Sequence, residues 1–449
     1  MAARPVEMVP MQYSKREQRG WYFYDWANSA FSTTVVTLFL GPYLTSMAKA
    51  GADANGNILP FGIEVDYRSL WGYMVALSVF SQVLFLPILG VIGDYSSNKK
   101  GLMAIFAYAG AFATIGMFWL QGTDYMMGAA LFLFANLAFG ASVVIYNSFL
   151  PDIAPPDKRD TVSSNGWGIG YLGGGLLLAL NLLVYMKKDM FGISEAMAVR
   201  ISLSSAGVWW AVFTIIPLVT LRNRPSMHFP APGENQVTSG FKQLGRTLKD
   251  LGKYPQTLTF LIAYLVYNDA IQTVITLSSQ FGNDELKIPL ETLTLAILMV
   301  QFVGFGGAIL FNYLAKAIGA KHAVMLALVI WTGVLLAIYF SVKNTAQFFV
   351  MAAVVGLVLG GSQALSRSLY SQMIPKGREG EYFSLYEISD KGTSWLCPLL
   401  FGLALQYTKS YRLAILSLIF FFILGLIILS RVDVKRAAIE AGNEAPGVP

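Results

Sequence analysis

Twelve runs of roughly 20 or more mostly apolar residues recur along the chain, about the length at which one α-helix crosses the hydrocarbon core of a bilayer. They cover 21–47, 69–93, 101–121, 125–148, 162–184, 200–221, 255–280, 290–314, 322–341, 346–370, 383–407 and 411–430. A soluble fold of 449 residues cannot hide this much apolar surface. Hydrophobic residues make up 55% of the chain and charged residues 13%, against about 25% charged in ordinary soluble domains. Three soluble domains are therefore excluded, and so is disorder, which needs a polar chain poor in aromatics. The runs predict an all-α membrane protein with twelve transmembrane helices.

An even number of spans puts both termini on one side. Twenty-one Lys and Arg residues fall in the segments on that side, nine on the other and two inside spans. Basic loops mark the cytoplasmic face, so both termini are expected in the cytoplasm. The net charge of +6 is then a topology signal and calls for no nucleic-acid partner. The longest connection, 222–254, follows the sixth run. It separates an N-terminal six-helix half (21–221) from a C-terminal one (255–430), with a cytoplasmic segment (1–20) before them and a tail (431–449) read as disordered. Within the connection, Phe241, Leu244, Leu248 and Leu251 share one helical face, with Lys242, Arg246, Lys249 and Lys253 around the rest. That pattern fits a helix lying on an anionic leaflet or a solvated linker helix. The start of the chain is too polar for a signal-peptide core, so the first helix is expected to stay in the mature protein.

The two halves repeat. A shift of 240 sets Asn28-Ser-Ala-Phe-Ser-Thr-Thr-Val35 over Asn268-Asp-Ala-Ile-Gln-Thr-Val-Ile275, and a shift of 220 sets Gly140, Asn147 and Pro155 over Gly360, Arg367 and Pro375. Parallel six-helix repeats are a transporter architecture. Gly90-Val-Ile-Gly-Asp94 followed by Lys99-Lys100 resembles the loop signature of the major facilitator superfamily. Longer strings resemble its vacuolar-effluxer-like branch, named for an autophagy-linked amino-acid exporter of yeast. They are Gly20-Trp-Tyr-Phe-Tyr-Asp-Trp-Ala-Asn-Ser-Ala-Phe31, Tyr146-Asn-Ser-Phe-Leu-Pro-Asp-Ile-Ala-Pro155, Ser163-Ser-Asn-Gly-Trp-Gly-Ile-Gly-Tyr-Leu-Gly-Gly174 and Gln363-Ala-Leu-Ser-Arg-Ser-Leu369. The resemblance implies a twelve-helix major facilitator fold, alternating access and, more distantly, amino-acid export. It places the chain in the plasma (inner) membrane if bacterial and the vacuolar membrane if fungal. The chain departs from the superfamily pattern at Lys316, where the second loop signature would carry an acid. Its fourth span also lacks an arginine, and its fifth lacks the antiporter proline.

Ionisable groups inside a span cost about 2.5–3.5 kcal/mol each on insertion scales and are functional candidates by default. Six fall in the runs: Asp25, Asp269, Arg367, Glu387, Asp390 and Lys391. Asp269 stands near mid-span with Gln272, Thr273, Thr276 and Gln280 on its face at about 100° per residue. Asn268 is the repeat mate of Asn28, and Ser29 and Ser32 continue the matching face of the first span one turn beyond Asp25. Asp25 reads equally well as an interfacial carboxylate at a helix start. Arg367 shares a face with Gln363, and its repeat mate is Asn147. These residues are the expected lining for substrate or coupling ion. Asp94 with Lys99 and Lys100, and Glu387, Asp390 and Lys391, are gating candidates, although Glu387 and Lys391 also read as a self-neutralised helix pair. The glycines of the fifth and eighth spans permit close helix contact and are expected at a sliding seam between the halves.

The expected function is secondary active transport of a small polar solute by rocker-switch alternating access. An acid at Asp269 and a base at Arg367, on opposite halves, would bracket a zwitterion such as an amino acid, moved outward. Proton coupling through Asp269 or Asp25 follows because leaving water favours the neutral form of a carboxyl. The partners are then the solute and the bilayer, with a monomer expected. A non-transporting membrane sensor or scaffold, docked through the basic connection, is the alternative. The single Cys397 and the separated His228 and His322 provide no disulfide, thiolate metal site or catalytic set, so no metal, cofactor or enzymatic activity is expected. The glycine runs have no strand-to-helix context for phosphate binding.

Overall fold

In this computed structural model the described residues are 13–154, 159–224, 245, 249–374, 382, 386 and 395–443. Helices account for most of them. The first run is carried by α1 (Lys15–Ala30), a π-helical stretch (Phe31–Phe39) and α2 (Leu40–Ala50), joined without a break. Then follow α3 (Leu70–Tyr95), α4 (Lys99–Gly116), α5 (Tyr125–Asn147), the short α6 (Leu150–Ile153), α7 (Arg159–Met186) and α8 (Glu195–Thr220). The C-terminal group is α9 (Pro255–Asp284), α10 (Leu290–Ile318), α11 (Ala320–Phe340), α12 (Thr345–Gln372), α13 (Leu396–Thr408), α14 (Tyr411–Ser417), α15 (Ile419–Ser430) and α16 (Val434–Glu440). The strands are two-residue pieces, Asn57–Ile58 and Val65–Asp66, paired antiparallel in the connection after α2.

Among the described residues, nine helices are long and apolar enough to cross a membrane, and shorter apolar helices at Leu70–Leu86 and Leu396–Thr408 fall on the second and eleventh runs. Many of their apolar side chains point outward: Phe112, Phe134, Leu172, Phe302 and Val350 are all exposed, as lipid-facing residues must be. The core mixes aliphatic and alanine side chains with large aromatics, including Trp21, Trp71, Trp210 and Trp331. Buried polar bonds tie neighbouring helices. Gln82 of α3 donates to the Asn136 carbonyl at 2.8 Å, and Asn136 of α5 donates back to Ser78 at 2.9 Å. Hydrocarbon supplies no water to satisfy such groups, so they pair with one another.

Four sequence expectations need correction. The first helix begins at Lys15, not residue 21. Its first turn is held because buried Glu17 accepts both guanidinium nitrogens of Arg224, at 3.1 and 3.0 Å, and the Arg222 N–H at 3.1 Å. The tail is not wholly disordered. Asp433 caps α16 through the Arg436 N–H at 3.0 Å, and Ala437 and Ala438 are buried. Asn443 then donates to the Gln372 and Ile374 carbonyls at 3.0 and 2.8 Å. A capped helix with one small apolar face outweighs the low-complexity look of that sequence. The glycines of the fifth span pack within the N-terminal group. A Cβ on Gly173 would lie 2.6 Å from the Trp26 carbonyl oxygen, and one on Gly174 would lie 2.8 Å from the Thr33 hydroxyl. Those of the eighth span press on α12: Gly304 faces the Gly356 carbonyl and Gly307 the Leu357 carbonyl. Only Gly175 looks toward the other group, at Leu298. The amphipathic stretch of the 222–254 connection lies largely outside the described residues.

The α10–α12 contact gives a direct test. A Cβ on Gly307 would run into the Leu357 carbonyl, whereas one on neighbouring Gly306 would meet nothing within 4 Å. Overpacking of this kind costs about 1–3 kcal/mol. Gly307→Ala should therefore lower the melting temperature of the purified protein, and Gly306→Ala should leave it near wild type, in thermal unfolding read by intrinsic fluorescence.

Candidate functional site

Three consecutive residues midway along α9 point in different directions and tie it to two other helices. Tyr267 shares a 2.6 Å hydroxyl bond with Ser366 of α12, and Asn268 accepts from Gln363 Nε2 of α12 at 2.8 Å. Asp269 faces α13, where its Oδ2 accepts the Cys397 backbone N–H at 3.1 Å. Cys397 is the second residue of α13, so the carboxyl sits on the unsatisfied N–H groups and positive dipole end of that helix. Asp269 is 2% exposed, and its other oxygen, Oδ1, has no hydrogen-bond partner among the described residues. A buried acceptor without a donor is costly, and a proton or a cationic group at Oδ1 would remove that cost. Thr273 turns its hydroxyl to the Asp269 carbonyl at 2.7 Å, and Gln272 is half-buried beside it. Cys397 gave no functional signal in the sequence, although its backbone N–H and its thiol both lie against the Asp269 carboxyl.

Asp269 and Arg367 do not oppose each other across the two groups, since both belong to the C-terminal one, on α9 and α12. Any bracket they form lies within that group.

The N-terminal candidates collect along the α1–α7 contact. The Tyr146 hydroxyl donates to Asp25 Oδ2 at 2.8 Å, and the Tyr146 ring stacks on Trp21 with centroids 4.3 Å apart. Trp21 Nε1 in turn donates to the Tyr146 carbonyl at 2.9 Å. Gly166 and Gly170 lie directly over Asp25 and Ser29: an added Cβ would come within 2.6 Å of Asp25 Oδ2 and 2.8 Å of Ser29 Oγ. Asn28 is buried, and Ser32 and Asn147 are half-buried. Ser32 is the second residue of the π-helical stretch, where the Thr37 hydroxyl reaches back five residues to the Ser32 carbonyl at 2.9 Å. Such stretches frequently occur at functional sites. No sequence signal announces this one, because π-helix has no distinctive composition.

Of the gating candidates, Lys99 pairs with Asp152 of α6 at 3.4 Å, and Lys100 donates to the Leu221 carbonyl at 3.2 Å. The Asp94 side chain, Glu387, Asp390 and Lys391 lie outside the described residues.

The sequence reading missed a polar clamp at the end of the molecule opposite the termini. Asp66, in the connection between α2 and α3, is 1% exposed. It accepts from the Arg68 guanidinium twice, at 3.0 Å each, and also binds Lys409 from the C-terminal group. Arg68 donates in turn to the Lys409 carbonyl at 2.9 Å. Gln280, expected on the Asp269 face, belongs here instead: its Nε2 donates to the Thr45 hydroxyl and the Arg68 carbonyl, both at 2.9 Å. Ser279 donates to the Leu38 carbonyl at 2.6 Å and Tyr73 to Gln406 at 2.9 Å. At this end the π-helical stretch, α2, α3 and the connection between α2 and α3 are thus cross-linked to α9, α13 and Lys409.

A family model described as vacuole effluxer Atg22 like matches residues 13–442. The chain belongs to that family. It is 30% identical to the uncharacterized MFS-type transporter YxiO of Bacillus subtilis (strain 168) across 94% of this chain and 95% of that one. It is 26% identical to autophagy-related protein 22 of Saccharomyces cerevisiae (strain ATCC 204508 / S288c) across 96% and 94%. Its fold is that of the nucleoside transporter NupG (TM-score 0.63, 13% identity, 92% and 97% covered) and of a D-xylose–proton symporter (TM-score 0.59, 14% identity, 94% and 97% covered). This member of the Atg22-like family is therefore a multi-pass membrane transporter of the major facilitator type.

Burial opposes ionisation of Asp66, but hydrogen bonds from Arg68 and Lys409, joined by the Arg68 backbone N–H, outweigh it and hold the carboxyl below its ordinary value. A carboxyl whose value is lower in the folded state contributes stability that is complete at neutral pH and lost as pH falls through the folded value. Asp66→Asn should cost about 1–3 kcal/mol at neutral pH, allowing for partly exposed partners. It should also flatten the acid limb of the Tm–pH curve, measured by thermal unfolding in detergent. An unchanged acid limb would show that the clamp contributes nothing.

Proposed function

We propose that this protein is a secondary active transporter that exports a small zwitterionic solute of the amino-acid class by rocker-switch alternating access. The two six-helix groups, 21–221 and 255–430, are the moving bodies. The observation that carries this reading is the buried Asp269 carboxyl with its unpartnered oxygen, in a chain whose family is made of transporters. A substrate ammonium at Oδ1 would supply the missing donor as a charge-assisted bond. Arg367, about one turn along α12 from Gln363 and next to Ser366, which both bond α9, is the cation in reach of the substrate carboxylate. Both termini are cytoplasmic on the distribution of Lys and Arg. The clamp then closes the opposite, non-cytoplasmic end, and this conformation loads from the cytoplasmic side. Proton coupling runs through the same Asp269 oxygen, since a proton and an ammonium compete for it. Asp25 is the second carboxyl in the scheme, held in place by Tyr146.

Uptake into inside-out proteoliposomes, with and without a pH gradient, tests the proposal after a thermal-shift screen of amino acids, peptides and sugars has selected the substrate. Asp269→Asn should lower initial rates about tenfold or more, the equivalent of ~1.5 kcal/mol for one charge-assisted hydrogen bond, and should remove the response to pH. Wild-type rates with an intact pH response would eliminate Asp269 as the site. Stabilisation by a solute without any flux would favour a membrane sensor.

A further inference from the structure

The clamped end encloses a cavity of about 490 Å³, within the size range of small-molecule sites. Both groups build its wall: Lys49 and Arg68 come from the N-terminal group, and Asp284, Lys287 and Lys409 from the C-terminal one. It shares no residue with the Asp269 or Asp25 clusters.

Most of the charge on this wall is already committed, and the Asp284 carboxylate lies within electrostatic reach of Lys49, Lys287 and Arg68 without a direct ion pair. Arg68 and Lys409 both bind Asp66. The Tyr411 hydroxyl donates to Asp284 at 2.7 Å, and Arg412 pairs with Glu285 at 2.9 Å. Lys49, in the last turn of α2, and Lys287, just beyond α9, are exposed and have no ion pair among the described residues. One ammonium from each group is therefore left facing a shared space.

The backbone adds an independent sign. Among the described residues, the non-glycine positions with positive φ are Lys287 (56°) and Lys409 (55°). Each follows the end of a helix, where glycine is the favoured residue because it bears no Cβ penalty. Both positions hold lysine instead, and both lysines line this one cavity. Strain of that kind persists where the side chain has work to do.

We propose that this cavity is a binding site for a small soluble anion bearing carboxylate or phosphate oxygens. The anion is held between Lys49 and Lys287, with Arg68 and Lys409 as flanking charge. A ligand gripped by both groups binds the clamped arrangement better than one in which they separate, so it favours the closed state of this end by its difference in affinity. Occupancy would then slow the opening step from outside the transport site. The binding itself does not depend on the identity of the transported solute.

The probe is succinate, with inorganic phosphate as a second anion, added to the purified full-length protein in detergent. Sodium chloride at equal ionic strength is the control. The expected result is a saturable rise in melting temperature that chloride does not reproduce. A double variant, Lys49→Gln with Lys287→Gly, should keep or raise the basal melting temperature, because glycine is at ease in the left-handed conformation, and should lose the response to both anions. A response equal to that of chloride, or one surviving in the double variant, overturns the proposal. So does stabilisation by phosphatidylglycerol with none by succinate or phosphate, which would make the site a lipid-headgroup site.

Discussion

Hydrocarbon does not drive two apolar helices together, because lipid tails are as apolar as leucine. Close contact and polar bonding have to take over that role, and the arrangement of this protein follows from how it obtains them. Glycine provides the close contact: α7 lies against α1 through Gly166, Gly170, Gly173 and Gly174, and α10 lies against α12 through Gly304 and Gly307. Both contacts are internal to one group of helices, which makes each group a stiff body. Between the groups, α3 and α13 also meet closely at Gly72 and Gly402, and polar bonds from Asp66, Arg68, Gln280, Ser279 and Tyr73 gather at the end opposite the termini.

The polar groups buried mid-helix serve a different purpose from those of the clamp. Asp66 is fully answered by its partners, whereas Asp269 has one answered oxygen, held by the start of α13, and one that is not. A satisfied carboxyl fixes structure. A half-satisfied one holds an empty hydrogen-bonding position whose occupant can change, and α13 would feel any such change through Cys397. Asp25 accepts from Tyr146 of α5 where α1 meets α7.

Much of this was legible in the sequence, for reasons that can be named. The spans could be read because a helix in a bilayer must be apolar over a fixed length, so Lys99–Trp119 or Ala320–Phe340 stand out whatever their neighbours. Asp269 could be read because a lone acid in such a run carries a large transfer cost. Asp66 could not. It sits in a polar connection where acids are ordinary, and its burial depends on Lys409, more than three hundred residues away. The small apolar face of α16 was hidden by its alanine-rich, low-complexity composition. The glycines were recognised as contact residues but assigned the wrong neighbour, since a sequence shows which surfaces are smooth and not what lies on them.

The π-helical stretch at Phe31–Phe39 bears on the internal repeat. Its counterpart in α9 is ordinary α-helix throughout. A π turn holds more residues than an α turn, so the two copies turn at different rates once past Ala30. Asn28 and Asn268 occupy equivalent directions, but residues a few turns further on do not, even where the letters still align. The repeat is therefore symmetric in chain order and asymmetric in azimuth. One duplicated sequence thereby presents one face to a partner helix in its first copy and a different face in its second.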